Sequence, residues 1–228
     1  MKEFYSIIEA CPLFDGVSLQ EFQGMLGCLN GRVVAMKKGQ PILREGDATN
    51  QIGVILSGTA RLIREDYYGD RSVLSHLGPA QIFGEAYAFS EAKALPVSVV
   101  PDQDGKALML DSRRIASCCS NACAFHNQLI FNLLRLVANK SLMLHQKIEI
   151  TSKRTTRQKL MTYLAYQAKL NDSNQFTIPF DRQALADYLE VDRSGLSAQI
   201  SQLRKEGILE SEKNYFHLLK TTLEQKYF

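Results

Sequence analysis

From Ala124 to about Ile150 apolar residues return every three or four positions, and no glycine interrupts the chain between residues 106 and 194. That spacing predicts one continuous helix. Leu129, Leu133, Leu136, Met143 and Ile150 form one track along it, and Ile130, Val137 and Leu144 lie beside it. At 1.5 Å per residue the helix is roughly 40 Å long, more than one small roll of strands covers. A second copy of the same helix is the natural cover, which predicts a homodimer. The alternative is a helix packed along its own domain.

Ahead of this helix the punctuation is of another kind. Between about residues 31 and 115 the segments VVAM, PIL, QIGVILSG, ARLIRED, SVLSHLG, QIFG, VSVV and KALMLD read as short strands. Turn signals separate them, among them Lys38-Gly39, Glu45-Gly46-Asp47, Tyr68-Gly69-Asp70 and Gly78-Pro79. Strands this short and this closely spaced predict a closed or double-sheet antiparallel roll. Residues 3–9 and 18–29 read as helices in front of it.

Behind the long helix, TSKRTT at 151–156 has no apolar residue and reads as a hinge. A helix from Arg157 to Lys169 carries Leu160, Tyr163 and Leu164 inward. A short strand is expected at Phe176 to Pro179, then two helices around a tight turn at Glu190 to Asp192. Strands at Ile208–Glu210 and Phe216–Leu219 flank Lys213-Asn214. In the stretch LEVDRSGLSAQISQLRKEG at 189–207, Asp192 is a good N-cap, Leu196, Ile200 and Leu203 mark an inner face, and Lys205 with Gly207 mark the stop. Arg193, Ser194, Ser197, Ala198, Ser201 and Arg204 form the other face.

Two helices joined by a three-residue turn and followed by a hairpin make a winged helix-turn-helix, whose second helix enters the major groove of double-stranded DNA. Arg193 is then the candidate for guanine or phosphate, and Ser194 and Ser197 for base edges or backbone. Arg182 and Gln183 are expected against phosphate, and Lys205 and Lys213 to neutralise charge. The charge distribution agrees: residues 1–150 hold 15 Lys+Arg and 15 Asp+Glu, so the net +3 belongs to the C-terminal third, with 12 and 9.

The 5 cysteines are odd in number and irregular in spacing, which suits a reducing compartment. No run approaches the roughly 18 apolar residues of a membrane span, and the first residues lack the order of a secretion signal. A cytoplasmic protein without a membrane partner is expected.

In the order KKGQPILREGD, ILSGTARLIRED, HLGPAQIFGEAYAF, a long helix, and FDRQALADYLEVDRSGLSAQISQLRKEGIL, the chain resembles the catabolite activator and fumarate-nitrate regulator (CRP/FNR) family over nearly its whole length. The resemblance implies an α+β architecture. An N-terminal antiparallel β-roll (double-stranded β-helix) and a dimerisation helix from about residue 116 fill residues 1–150, and a winged helix-turn-helix fills 151–228. It further implies a homodimer on a pseudo-palindromic operator, controlled by an effector, with RNA polymerase as a further partner and no enzymatic activity. The effector pocket would be built by Phe83, Gly84, Glu85, Ala86, Tyr87, Leu95 and Pro96.

The chain also departs from the family pattern. Members that bind cyclic AMP carry an Arg-Ser pair where Leu95 and Pro96 stand, and a buried phosphate needs a cation that neither supplies. Lys93 is the nearest cation. Cyclic AMP is therefore not the expected ligand. An iron-sulfur cluster is not expected either, because only Cys11 and Cys28 lie in the early region. Cys118, Cys119 and Cys123 are a candidate redox group, although CCxxxC is no standard ligand spacing and small buried hydrophobes is the simpler reading. His76 and His126 read as structural. Ser194 and Ala198 replace the Glu and Arg with which relatives read a shared half-site, so the operator should differ. Glu190 stands where the turn often has glycine, at a cost of ~1 kcal/mol if that residue is left-handed. A cupin-like metalloenzyme needs converging His and Glu ligands, and the roll has only His76. A protein-binding module without DNA recognition is disfavoured by Arg182, Arg193 and the basic wing.

Overall fold

The computed structural model describes residues 2–117 and 124–219. They form two compact units that divide between Asn139 and Lys140.

In the first unit, a short helix α1 (Tyr5–Ala10) leads to α2 (Leu19–Cys28). Helix α2 starts where it does because Ser18 and Glu21 form a capping box: the Ser18 N–H donates to the Glu21 carboxylate over 2.8 Å, and the Glu21 N–H donates back to Ser18 Oγ over 3.3 Å. The roll follows as strands β1 (Arg32–Met36), β2 (Gln51–Ser57), β3 (Ala60–Glu65), β4 (Arg71–Leu77), β5 (Ile82–Phe83), β6 (Ser98–Pro101) and β7 (Gly105–Asp111). They make two antiparallel sheets, in the orders β1-β7-β2-β5 and β4-β3-β6. The PIL segment does not become an eighth strand among the described residues. Leu43 makes a single bridge to Val99, because Pro41 has no N–H to give a ladder.

The unbroken apolar run of β2 reflects burial on both faces. Ile52, Val54 and Leu56 pack against the N-terminal helices, whereas Ile55 faces the interior of the roll with Met36, Ala107, Met109 and Phe83. Phe83 fits only because residue 53 is glycine: a Cβ there would lie 1.9 Å from the ring. Gly84 is required twice over, by a φ of +83° and by the Gln51 carbonyl 2.8 Å from where a Cβ would be.

A four-residue helix α3 (Glu85–Ala88) follows β5, and a five-residue one, α4 (Ser112–Ala116), follows β7. Asp111 caps α4 by accepting from the Arg113 N–H, and Ser117 ends it in an extended conformation. The expected start of the long helix near residue 116 is thus corrected: that turn is a separate helix, and the long helix α5 (Ala124–Thr151) is described from Ala124. Cys118, Cys119 and Cys123 lie outside the described residues.

The apolar residues of α5 have different fates, and these do not follow the two tracks: Met143 is exposed and Ile130 packs against the core of the first unit. Leu129 and Leu133 are buried in the core of the first unit, and Ile150 is fully buried in the core of the second. The division between the units therefore falls inside the helix rather than after residue 150. Leu134, Val137, Leu144 and Ile148 remain exposed.

In the second unit, Thr155 and Gln158 form a capping box that starts α6 (Thr156–Leu170). Its inner face, Leu160, Tyr163 and Leu164, is buried. Strand β8 (Gln175–Thr177), helices α7 (Arg182–Leu189) and α8 (Arg193–Lys205), and strands β9 (Leu209–Glu212) and β10 (Tyr215–Leu218) complete it, with sheet order β8-β10-β9. The strands lie within two residues of their expected places, their ends set by pairing partners that a single segment does not reveal. Glu190, C-cap of α7, is left-handed at φ 53°.

Candidate nucleic-acid interface

Helix α8 is held inward by Leu196, Ile200 and Leu203, which presents its opposite face to solvent. The Asp192 carboxylate caps it, accepting from the Gly195 N–H over 2.8 Å and from the Ser194 hydroxyl. The Ser194 hydroxyl, then the Gly195 amide, hold the Asp192 carboxyl below its ordinary range. Ser194 is thus part of the cap in the free protein.

A groove of about 680 Å3 runs between α8 and the hairpin β9–β10, lined among others by Arg182, Ser197, Ser201, Arg204, Lys213 and Tyr215. Three of the residues expected at DNA, Arg182, Ser197 and Lys213, meet here. Arg193 is exposed, and its charge reaches Arg182. Arg182 is committed differently than expected: its guanidinium donates to the Lys213 carbonyl over 3.3 Å and lies 5.8 Å from the Phe216 ring centroid. Burial, and then the charge of Arg193, lower its pKa. It fastens the wing as well as contributing charge. Gln183 donates to Asp187 along its own helix at 2.8 Å, and Gln183, Ser194 and Lys205 do not line the groove.

Arg204 does line it, and helical geometry gives the signal: it stands seven and eleven residues after Ser197 and Arg193, close to two and three turns. Lys205 points about 100° away. Glu210 and Glu212, also in the lining, break the positive field. Glu210 lies 3.2 Å from His217 Nδ1.

In the roll, Phe83, Gly84, Glu85 and Leu95 are buried, Tyr87 is half-buried, and Ala86 and Pro96 are exposed. Leu95 is tied by its backbone to the preceding loop: its N–H donates to the Asp47 carbonyl and its carbonyl accepts from the Gly46 N–H, both over 2.8 Å. A cavity of about 680 Å3 on the roll is lined instead by residues such as Arg44, Arg61, Glu65, Arg71 and Ser98. His76 is exposed, and His126 is buried with Nε2 2.9 Å from the Ile115 carbonyl. Cys11 is buried, and burial pushes its thiol up to about 11, which keeps it protonated. No helix among the described residues is long and apolar enough to cross a membrane.

Residues 33–122 match the family model of a cyclic nucleotide-binding domain, and residues 158–223 match that of a Crp-like helix-turn-helix domain. The chain is 21% identical over 182 residues to the transcriptional activator protein FnrA of Stutzerimonas stutzeri, covering 78% of this chain and 72% of that one. It is 30% identical over 103 residues to the cyclic AMP receptor protein of Thermus thermophilus, 45% of this chain and 46% of that one. The solved structure of OCPA-complexed CprK superposes with a TM-score of 0.59 over 86% of this chain and 89% of that one, at 13% identity, a likeness of fold.

Proposed function

Because the chain belongs to the CRP/FNR family of effector-responsive, DNA-binding transcription regulators, we propose that it acts as a homodimer on a pseudo-palindromic operator. In this reading the roll senses, α5 dimerises, and the helix-turn-helix unit, to whose core the end of α5 contributes, places the two α8 helices in successive major grooves. Arg193, Ser197, Arg204 and Lys213 meet the DNA directly, while Arg182 holds the wing and adds charge.

One observation carries the reading. Ile130, Leu134, Val137, Ser141, Leu144 and Ile148 follow one another at alternating steps of four and three, the seam of a coiled coil. Leu134, Val137, Leu144 and Ile148 are 64%, 43%, 62% and 61% exposed in the single chain. The helix that offers this seam also supplies Ile150 to the core of the helix-turn-helix unit. A change in how two copies of α5 meet is therefore felt where α8 is held.

The effector is a small molecule bound in the roll near Glu85. The name of the Thermus relative suggests cyclic AMP, but Leu95 and Pro96 give a cyclic phosphate no cation, and an effector other than cyclic AMP fits the residues better. RNA polymerase is the expected protein partner and the cytoplasm the expected place of action.

The test combines sedimentation with fluorescence anisotropy of a duplex from upstream of the protein's own gene, across salt, with and without a small-molecule extract of the cells. The expected result is a dimer whose sequence-specific, salt-dependent binding responds to the extract. A monomer at micromolar concentration, or a dimer that prefers no duplex over a random one under any condition, sinks the proposal.

A further inference from the structure

Glu190 is the residue around which the helix-turn-helix bends, and it is a glutamate in a left-handed conformation, φ 53° and ψ 55°. Side chains with a Cβ resist that conformation, and glycine would adopt it without strain. The strain accompanies two contacts with lysines, all within the C-terminal unit. Lys147, one turn before the end of α5, lies with Nζ 3.5 Å from Glu190 Oε1. The same ammonium donates to the Tyr188 carbonyl and sits 4.3 Å from the centroid of the Tyr188 ring. Lys159 on α6 donates to the Glu190 carbonyl over 3.2 Å, satisfying one of the orphan acceptors at the end of α7.

The Tyr188 ring is fixed from behind. It stacks on Phe180 at 5.0 Å between centroids and contacts Tyr163 at 5.3 Å. Lys147 is thus a point at which α5 grips the last turn of α7, and through its ion pair with Glu190 that grip extends into the turn leading to α8. Two residues later Asp192 caps α8. A glycine at 190 would preserve the bend and the contacts of Lys147 with Tyr188, and lose the ion pair that carries the grip into the turn.

We propose that Lys147 and Glu190 form a latch that sets the direction in which α8 leaves the turn relative to the end of α5, making both positioning residues for DNA recognition. The Glu190 side chain is 62% exposed, and what adds to the ion pair is that Lys147, with 28% of its side chain exposed, is also held by the Tyr188 carbonyl and ring. This inference rests on the reading that α5 dimerises and α8 recognises DNA. It adds that the angle between them is specified by chemistry in the turn itself. Two protomers must present α8 at matched spacing to one operator, so a loosened angle reduces specific binding while leaving sequence-independent attraction to phosphate intact.

The test uses the full-length protein and a duplex selected by the wild-type chain from a random pool, beside an unselected duplex. Glu190→Gly should leave the melting temperature equal or higher, leave binding to the unselected duplex unchanged, and weaken binding to the selected duplex about tenfold. Lys147→Met should weaken binding to the selected duplex at least as much, Lys147→Arg should retain binding, and the double variant should lose no more than the larger of the two single losses. A Glu190→Gly protein that binds the selected duplex within twofold of wild type, or a double variant whose loss is the product of the two single losses, overturns the latch. A wild-type chain that selects no sequence or is monomeric overturns the underlying reading as well, and that outcome is visible before any variant is made.

Discussion

The side-chain amide of Asn132 donates to the carbonyl of Asp15 over 2.7 Å, and its second hydrogen goes to the carbonyl of Leu13 at 3.1 Å. Its oxygen accepts from Gln128 and Arg135, so a fully buried polar side chain of α5 is satisfied on both ends. Replacing it with alanine leaves two carbonyls without their donor, a loss of about 1–3 kcal/mol for each group that water does not reach. Asn132→Asp should be worse than Asn132→Ala, because it aims a carboxylate at the same carbonyls. Urea unfolding of the two variants gives the order, and an Asp variant as stable as the Ala one would speak against this arrangement.

Leu134 lies in the middle of the exposed seam and belongs to no core of the single chain. Leu134→Asp should leave the cores of both units folded, with any loss of helical circular dichroism limited to the exposed middle turns of α5. Between them two protomers lose about 3 kcal/mol or more of apolar burial, which raises the dimer dissociation constant roughly a hundredfold. Sedimentation at several concentrations measures this, and an unchanged constant would move the dimer surface away from α5.

Arg204 and Lys205 are neighbours in sequence and differ in the direction they face. Arg204→Ala should reduce the slope of log Kd against log salt by about two for the dimer, one phosphate per protomer. Lys205→Ala should change it by less than half as much. Equal losses would mean that the groove lined by Arg182, Arg204 and Lys213 is not the face that meets DNA.

Asp192 ties the stability of α8 to pH. Its folded-state pKa is depressed, chiefly by the Ser194 hydroxyl. The ionised form is therefore favoured by folding, and its contribution is present above the ordinary value of 3.8 and lost as pH falls through the lower, folded one. Wild type should be more stable than Asp192→Asn by a constant margin from pH 5 upward, with the margin closing below pH 4. Melting curves across that range decide it; a margin independent of pH would assign the effect to shape rather than charge.

Much of this architecture could be read in advance where one residue has one job. Asp192 caps, Glu190 bends, and Leu196, Ile200 and Leu203 face inward. Sequence was weaker where a side chain serves a distant partner. Arg182 looks like a free cation until the wing carbonyl of Lys213 stands beside it, and Ser194 looks like a free donor until Asp192 takes it. On α5 apolar residues occur on so many faces that periodicity marked the helix without telling which track would be covered by its own chain. Leu129 and Leu133 went inward, Leu134 and Val137 outward, and only the packed neighbours distinguish them.

Along α5 every residue from 137 to 145 is exposed in the single chain. These turns have no core on any side, and a bare helix of that length is marginal in water. The backbone amides there owe their protection to whatever lies against the seam, while those near Leu129 and Ile150 are shielded by the protomer itself. Deuterium uptake in the middle of the helix should therefore slow as protein concentration rises and remain constant at both ends, giving a count of paired chains that needs neither label nor DNA.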